Sequence, residues 1–92
     1  MVANGSNEHT TLPIETSEYY EREAKHKHPE IRDEWVARVL ANPYHIETQP
    51  DGRIRYYGYI TEVEKWVRVI VEDGVLINRF FDRGKLRRWG RP

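Results

Sequence analysis

The sequence predicts an α+β fold in which two N-terminal helices pack on a four-stranded antiparallel β-meander. Apolar side chains recur with a helical period between residues 29 and 41, and from residue 44 onward the period changes to two. The dipeptide Asp-Gly occurs at 51–52 and again at 73–74, which is typical of hairpin turns. With 92 residues, of which 38% are hydrophobic, the chain is long enough for one domain with a modest core.

The first helix is expected to follow a flexible N-terminal arm. Residues 1–15 are polar, lack periodicity and contain Pro13, which predicts an arm rather than a helix or strand. Thr16 or Ser17 is suited to cap a short helix that runs to about Lys27.

The second helix is predicted to start at Pro29, because proline is favoured at the first helical position. Ile31, Trp35 and Val39 lie at i, i+4 and i+8, and they form an apolar stripe that should face the core. Asn42, which is followed by proline, is expected to end the helix in a left-handed conformation.

The four strands are rich in β-branched and aromatic residues, and each Asp-Gly dipeptide is predicted to form a two-residue type I′ turn between two of them. We predict one domain over residues 16–83 and a basic C-terminal tail over 84–92. The strands are expected near 44–49, 53–60, 66–72 and 75–82.

The last hairpin carries two arginines that the predicted register places side by side. With Asp73-Gly74 as the turn, Arg68 faces Arg79 on the face opposite the core, and Phe80 lies on the core face. Directly opposed like charges destabilise a sheet by up to about 1 kcal/mol, so an anion should lie between the two guanidinium groups. Three sources stay open: a carboxylate of the chain, a phosphate group of a ligand, or a crystal or oligomer contact. The candidate carboxylates are Glu62, Glu64 and Asp82.

The preceding strand interleaves arginines with aromatic rings. By alternation Arg53, Arg55, Tyr57 and Tyr59 share one face, where tyrosines could stack bases while arginines hold the backbone. These four are the candidate substrate-binding residues. The alternative is that tyrosines are present because they are good strand formers.

His28 is the candidate general acid or base. At the predicted start of the second helix, the positive end of the dipole would keep its imidazole neutral. Together with Arg68 and Arg79 it would complete a catalytic set for RNA cleavage by the 2′-hydroxyl without a metal. The alternative is an exposed histidine with no catalytic role. No metal site is predicted, because His26 and His28 are poorly spaced for chelation and the chain has no cysteine.

Several short motifs together resemble a known family. The run His26-Lys27-His28-Pro29-Glu30-Ile31, followed by Asn42-Pro43, "RYYG", "VRVIVEDG" and "INRFFD", is similar to RelE-like and BrnT-like nuclease toxins of the barnase/EndoU/colicin/RelE superfamily. The resemblance covers roughly residues 19–82. It implies metal-free ribonuclease activity in the toxin of a toxin–antitoxin pair, with His28 as the helix histidine. Arg55 and Arg68 would be the strand arginines, and Arg79 the basic residue of the last strand.

Two hypotheses for function follow. The first is a metal-independent RNA-cleaving domain without cofactors, and the alternative is a non-catalytic module that binds nucleic acid or protein on the same face. The expected partner is RNA or another phosphate-bearing ligand, and the alternative is an acidic protein such as an antitoxin. An edge strand could also pair with a second copy, which the sequence does not decide. The 15 basic and 15 acidic side chains cancel, which argues against non-specific adhesion to nucleic acid.

The expected location is the cytoplasm, away from membranes. No stretch approaches the roughly 18–20 apolar residues that span a bilayer, and the polar N-terminus does not resemble a signal peptide. The absence of cysteine is compatible with a reducing compartment.

Overall fold

The computed structural model describes residues 12–92 and shows an α+β fold with three helices and a five-stranded mixed sheet. The prediction of two helices on a four-stranded antiparallel meander is therefore wrong. The strands are β1 (Glu15–Thr16), β2 (His45–Thr48), β3 (Ile54–Ile60), β4 (Lys65–Glu72) and β5 (Val75–Phe81). They lie in the order β1-β5-β4-β3-β2, and only the β1–β5 pair is parallel.

The three helices lie on both faces of the sheet. Helix α1 consists of a π-helical segment, Tyr20–Ala24, that continues directly as the α-helical segment Lys25–Lys27, and helix α2 is Asp33–Ala41. Helix α3 is Arg83–Trp89. In this part of the chain, no helix has the length and apolar composition needed to cross a membrane.

The segment predicted as an N-terminal arm contributes to the sheet where the structure describes it. Residues 1–11 lie outside the described residues. Leu12 and Ile14 pack against the core, and Glu15 pairs in parallel with Val75 of β5. Strand β1, which the sequence did not predict, therefore begins within the predicted arm.

Helix α1 forms much as predicted, with one irregularity. The Ser17 hydroxyl accepts a hydrogen bond from the Tyr20 amide (2.9 Å), so Ser17 caps the first turn, and the helix ends at Lys27. The Lys25 amide reaches the Tyr20 carbonyl five residues back, which widens the turn. Tyr20 and Ala24 are both fully buried against the sheet.

Helix α2 starts later than predicted. Its first residue is Asp33, and Pro29 lies in a turn that is closed by a bond from the Ile31 amide to the His28 carbonyl (3.1 Å). Asn42 ends the helix with φ of −147°, so the predicted left-handed cap is also wrong.

The three residues of the predicted apolar stripe are buried as expected, although Ile31 lies in the turn before α2. Ile31, Trp35 and Val39 are all buried, and they pack with Val67 and Val69 of β4 in the core between the helices and the sheet. The helical period therefore identified the correct face, although it did not locate the first turn of the helix.

The two Asp-Gly dipeptides form different turns. Asp73 and Gly74 both have positive φ, 51° and 76°, which confirms the type I′ turn between β4 and β5. Between β2 and β3 only Gly52 has positive φ, and the Gln49 amide bonds to the Arg53 carbonyl (2.7 Å). That loop therefore has three residues, and the type I′ prediction is wrong there.

A β-bulge in β5 changes the register of the last hairpin. Val71 pairs with Leu76, but Ile70 pairs with Asn78, so Ile77 has no partner on β4. Every side chain after the bulge lies on the face opposite to the one predicted. Arg68 consequently pairs with Phe80, and the predicted pairing with Arg79 is wrong.

Helix α3 covers part of the second face of the sheet. The ring of Trp89 lies 5.1–5.4 Å from the rings of Trp66, Tyr57 and Tyr44, and the Trp66 indole donates a hydrogen bond to the Gly90 carbonyl (2.9 Å). The segment predicted as a tail is thus held on the sheet by aromatic packing.

We expect Gly58→Ala to be destabilising, since a Cβ at this position of β3 would lie 2.7 Å from Val39 Cγ2 of α2. Separating helix and sheet enough to relieve this contact should cost about 1–3 kcal/mol in unfolding free energy. The control Gly84→Ala meets only open space and Asp82 Oδ1 at 3.5 Å, and because Gly84 lies inside α3 it should gain about 0.5–1 kcal/mol. Urea unfolding measures both, and a Gly58→Ala variant as stable as wild type would contradict this packing.

Candidate functional site

The structure separates the three residues that the sequence placed in one catalytic set. Because of the bulge at Ile77, Arg79 lies opposite Val69 on the core face, whereas Arg68 lies opposite Tyr57 and Phe80 on the other face. The two guanidinium groups therefore cannot hold one phosphate between them.

Arg79 is a buried structural residue. Its side chain is 4% exposed, and its Nη1 donates to the Tyr20 hydroxyl (2.9 Å) and to Asp33 Oδ1. Its Nη2 donates to the carbonyls of Lys25 (3.2 Å) and His28 (3.4 Å). The guanidinium thus joins β5 to α1, to the following turn and to the start of α2. These contacts leave Arg79 unavailable to a ligand.

Arg68 has its own carboxylate partner. Its Nη1 lies 3.6 Å from Asp82 Oδ2, and its guanidinium lies over the Phe80 ring, 4.1 Å from the ring centre. Asp82 is one of the carboxylates that the sequence offered as the counterion. The Arg68 side chain is 21% exposed, so it is partly covered as well as paired.

His28 is not at a helix start. It lies five residues before Asp33, the first residue of α2, so the dipole argument for a neutral imidazole does not apply. Its side chain is 43% exposed, with Nδ1 at 3.5 Å from Glu30 Oε2. Its backbone carbonyl accepts a hydrogen bond from Arg79 on the core side of the sheet, whereas Arg68, Tyr57 and Tyr59 lie on the other face.

The predicted substrate-binding residues are mostly engaged. Arg53 lies 3.5 Å from Glu72, and Arg55 lies 3.6 Å from Glu47. Tyr57 is 1% exposed beneath α3, and Tyr59 is half-buried. Arg55, Tyr57 and Tyr59 do share one face, as predicted, but that face is the one which α3 partly covers.

Helix α3, most of which was predicted to be a basic tail, forms a basic surface on the protein. Nine of the 15 lysines and arginines lie within 4.0 Å of a carboxylate oxygen. They are Arg22, Lys25, Arg32, Arg38, Arg53, Arg55, Arg68, Arg79 and Arg91. Among residues 12–92, four of the other six lie on α3: Arg83, Lys85, Arg87 and Arg88. Since most other cations are paired, positive charge is concentrated on this helix.

The side chains of α3 are divided between two faces. Arg83, Arg87 and Arg88 are exposed, whereas Leu86 and Trp89 are half-buried against the sheet. Lys85 lies between the faces, with Nζ 5.1 Å from the centre of the Tyr57 ring and 4.8 Å from that of Trp89. We refer to Arg83, Arg87 and Arg88 as the α3 arginine row.

Exposed aromatic groups lie at the C-terminal end of α3. Tyr44 is 57% exposed, and its ring centre lies 5.4 Å from that of Trp89. His45, also exposed, lies 5.2 Å from the same tryptophan ring. Rings on which a planar group could stack therefore border the α3 arginine row.

The sequence signal for this surface was the excess of basic residues after Arg79. A run of charge does not show whether the segment is a helix or a free tail, and the packing of Trp89 decides this.

No group of three or more histidine, aspartate or glutamate side chains in the described part of the chain is placed to hold a metal ion.

Comparisons of the chain with protein-family models, with curated proteins and with solved structures find no match. The resemblance to RelE-like and BrnT-like toxins therefore stays a prediction.

We expect Asp33→Asn to be strongly destabilising, because it leaves the Arg79 guanidinium buried without a counter-charge. Breaking a buried ion pair costs about 3–5 kcal/mol, and the partial exposure of Asp33 favours the lower end. The melting temperature should fall by about 10 °C or more. The control Glu62→Gln breaks the exposed pair with Arg38 and should leave the melting temperature close to that of wild type, because exposed ion pairs contribute little to stability. Equal melting temperatures for the two variants would contradict this role for Arg79.

Tyr20 should make the fold sensitive to alkaline pH. Burial raises the pKa of its hydroxyl from 10.0 to about 12, against a smaller lowering effect of the Arg79 charge. Below pH 10 the phenol is protonated in both states, and as pH rises from 10 to 12 it ionises in the unfolded chain first. Wild type should therefore lose about 2 kcal/mol more than Tyr20→Phe over this range. Urea unfolding at several pH values measures the difference, and parallel curves would contradict the raised pKa.

Proposed function

We propose that this protein is a non-catalytic module that binds single-stranded RNA through helix α3. One observation carries the proposal: the α3 arginine row is exposed and has no carboxylate within 4.0 Å in the described chain, whereas most other cations are paired. Arginine presents a planar fork that matches phosphate oxygens. A negatively charged polymer should therefore bind to the exposed face of this helix.

The neighbouring rings favour a single strand over a duplex. In a duplex the bases are stacked on one another, whereas the bases of a single strand are free to stack on protein aromatics. Tyr44 and His45 are exposed beside Trp89, at the end of the α3 arginine row. Phosphate contacts along the helix and a base on these rings would suit a strand that follows α3.

The neutral overall charge is compatible with this proposal. A net charge of zero gives no long-range attraction for nucleic acid, so binding depends on the local surface.

The predicted RNA-cleaving function would need catalytic groups near the bound phosphate. His28, Arg68 and Arg79 do not form such a group, and cleavage stays a prediction. The cytoplasmic location likewise stays a prediction, supported by the absence of cysteine.

The test is to neutralise the row with the triple variant Arg83→Gln/Arg87→Gln/Arg88→Gln and to measure binding of a short labelled single-stranded RNA. A matched control replaces three exposed but paired arginines, in Arg22→Gln/Arg32→Gln/Arg53→Gln, which changes the net charge equally. The α3 variant should bind at least about tenfold more weakly. Its slope of log K against log salt should fall by about 2, since each phosphate contact on a single strand contributes about 0.7.

An equal loss of affinity in both variants would contradict a site on α3. Two further measurements separate this function from an acidic protein partner and from RNA cleavage. Binding of polyglutamate as tight as that of RNA would instead indicate an acidic protein partner. RNA that is degraded by wild type but not by His28→Ala would restore the enzyme hypothesis.

A further inference from the structure

A small apolar cavity lies beside the first turn of α3, where β4 begins and β5 ends. It has a volume of about 280 Å³ and is lined by Glu64, Lys65, Trp66, Phe81, Asp82, Arg83 and Leu86. The Asp82 amide donates a hydrogen bond to the Trp66 carbonyl (2.8 Å), which fixes the ends of the two strands together. The cavity is therefore built on paired backbone.

The interior of the cavity suits a flat aromatic group. Phe81 and Leu86, which are both half-buried, contribute apolar side chains to its lining, and the Lys65 ammonium lies 4.8 Å from the centre of the Phe81 ring. Trp66 is held in place by the hydrogen bond from its indole to the Gly90 carbonyl. A pocket for a drug-sized ligand usually has about 300–1,000 Å³, so this volume suits a single base better than a larger molecule.

The charges around the cavity favour a group that carries phosphate. Of its two acidic residues, Glu64 pairs with Arg91 (2.9 Å) and Asp82 pairs with Arg68 (3.6 Å). Lys65 and Arg83 have no carboxylate within 4.0 Å among the described residues. The net charge at the rim of the cavity is therefore positive.

We propose that this cavity binds one unstacked base of the RNA, while the α3 arginine row holds the phosphates that follow. Arg83 belongs both to the cavity and to the row, so the two surfaces are continuous. This inference rests on the proposed function, and it adds that recognition includes a base in a pocket as well as backbone charge. Because a base in a duplex is paired and stacked, the cavity restricts the ligand to single strands or ends.

The test compares two labelled oligomers of equal length, one a single-stranded RNA and the other an abasic chain with the same sugars and phosphates. Wild type should bind the RNA at least about tenfold more tightly, which is the contribution expected of one stacked base. Leu86→Trp should fill the cavity, lower this preference by about tenfold and leave the affinity for the abasic chain unchanged. Leu86→Met, which conserves volume, is the matched control and should keep the preference.

A second measurement needs no variant. Adenosine monophosphate, but not ribose 5-phosphate, should shift the methyl resonances of Leu86 in an NMR titration, because a base in the cavity would contact this half-buried side chain. Weak binding of both oligomers would overturn the proposed function. Equal binding of both by wild type would overturn the base pocket and the stacking on Tyr44 and His45, and would leave only phosphate binding on α3. A Leu86→Trp variant that folds and keeps the full preference, or unmoved Leu86 resonances, would overturn the base pocket alone.

Discussion

The buried guanidinium of Arg79 is the contact on which the arrangement of the N-terminal half depends. A charged group is stable in a protein interior only if it is paired and hydrogen-bonded, and Arg79 meets this condition with the Tyr20 hydroxyl, the Asp33 carboxylate and two backbone carbonyls. Those partners lie on α1, on the following turn and at the start of α2. One side chain of β5 therefore fixes the positions of three consecutive segments.

Two local irregularities accompany this contact. Tyr20 begins the π-helical segment, and the bulge at Ile77 turns Arg79 toward the Tyr20 hydroxyl. Without the bulge, alternation would place Arg79 on the opposite face. Irregularities of this kind cost hydrogen-bond regularity, and here the buried network offsets that cost.

Patterns that depend on local period were predictable from the sequence, and those that depend on distant partners were not. The burial of Trp35 and Val39 and the turn at Asp73-Gly74 follow from helix and hairpin geometry alone. The bulge does not follow from local geometry, because the composition of β5 is the same whether Ile77 is paired with β4 or is left unpaired. Strand β1 has only two residues, and its formation depends on β5, far along the chain.

The same limit applies to the candidate site. The excess of positive charge near the C-terminus was evident, but its placement on a helix depends on Trp89 packing over Trp66 and Tyr57. The prediction of opposed arginines failed by a shift of a single residue. That shift converted Arg79 from a ligand-binding candidate into a core residue, and it left α3 as the surface where cations are exposed without partners.

The distance along the chain between Arg79 and its partners has a consequence for biosynthesis. Arg79 and Tyr20 are separated by 59 positions, and β1 also pairs only with β5. The ribosome delivers the chain from its N-terminus, so α1 and β1 emerge long before the strand that anchors them. The β3–β4–β5 hairpins form from near neighbours, whereas docking of the first helix must await synthesis of β5. A nascent chain stalled before residue 79 would expose Tyr20 and Ala24 to whatever chaperones attend the exit tunnel.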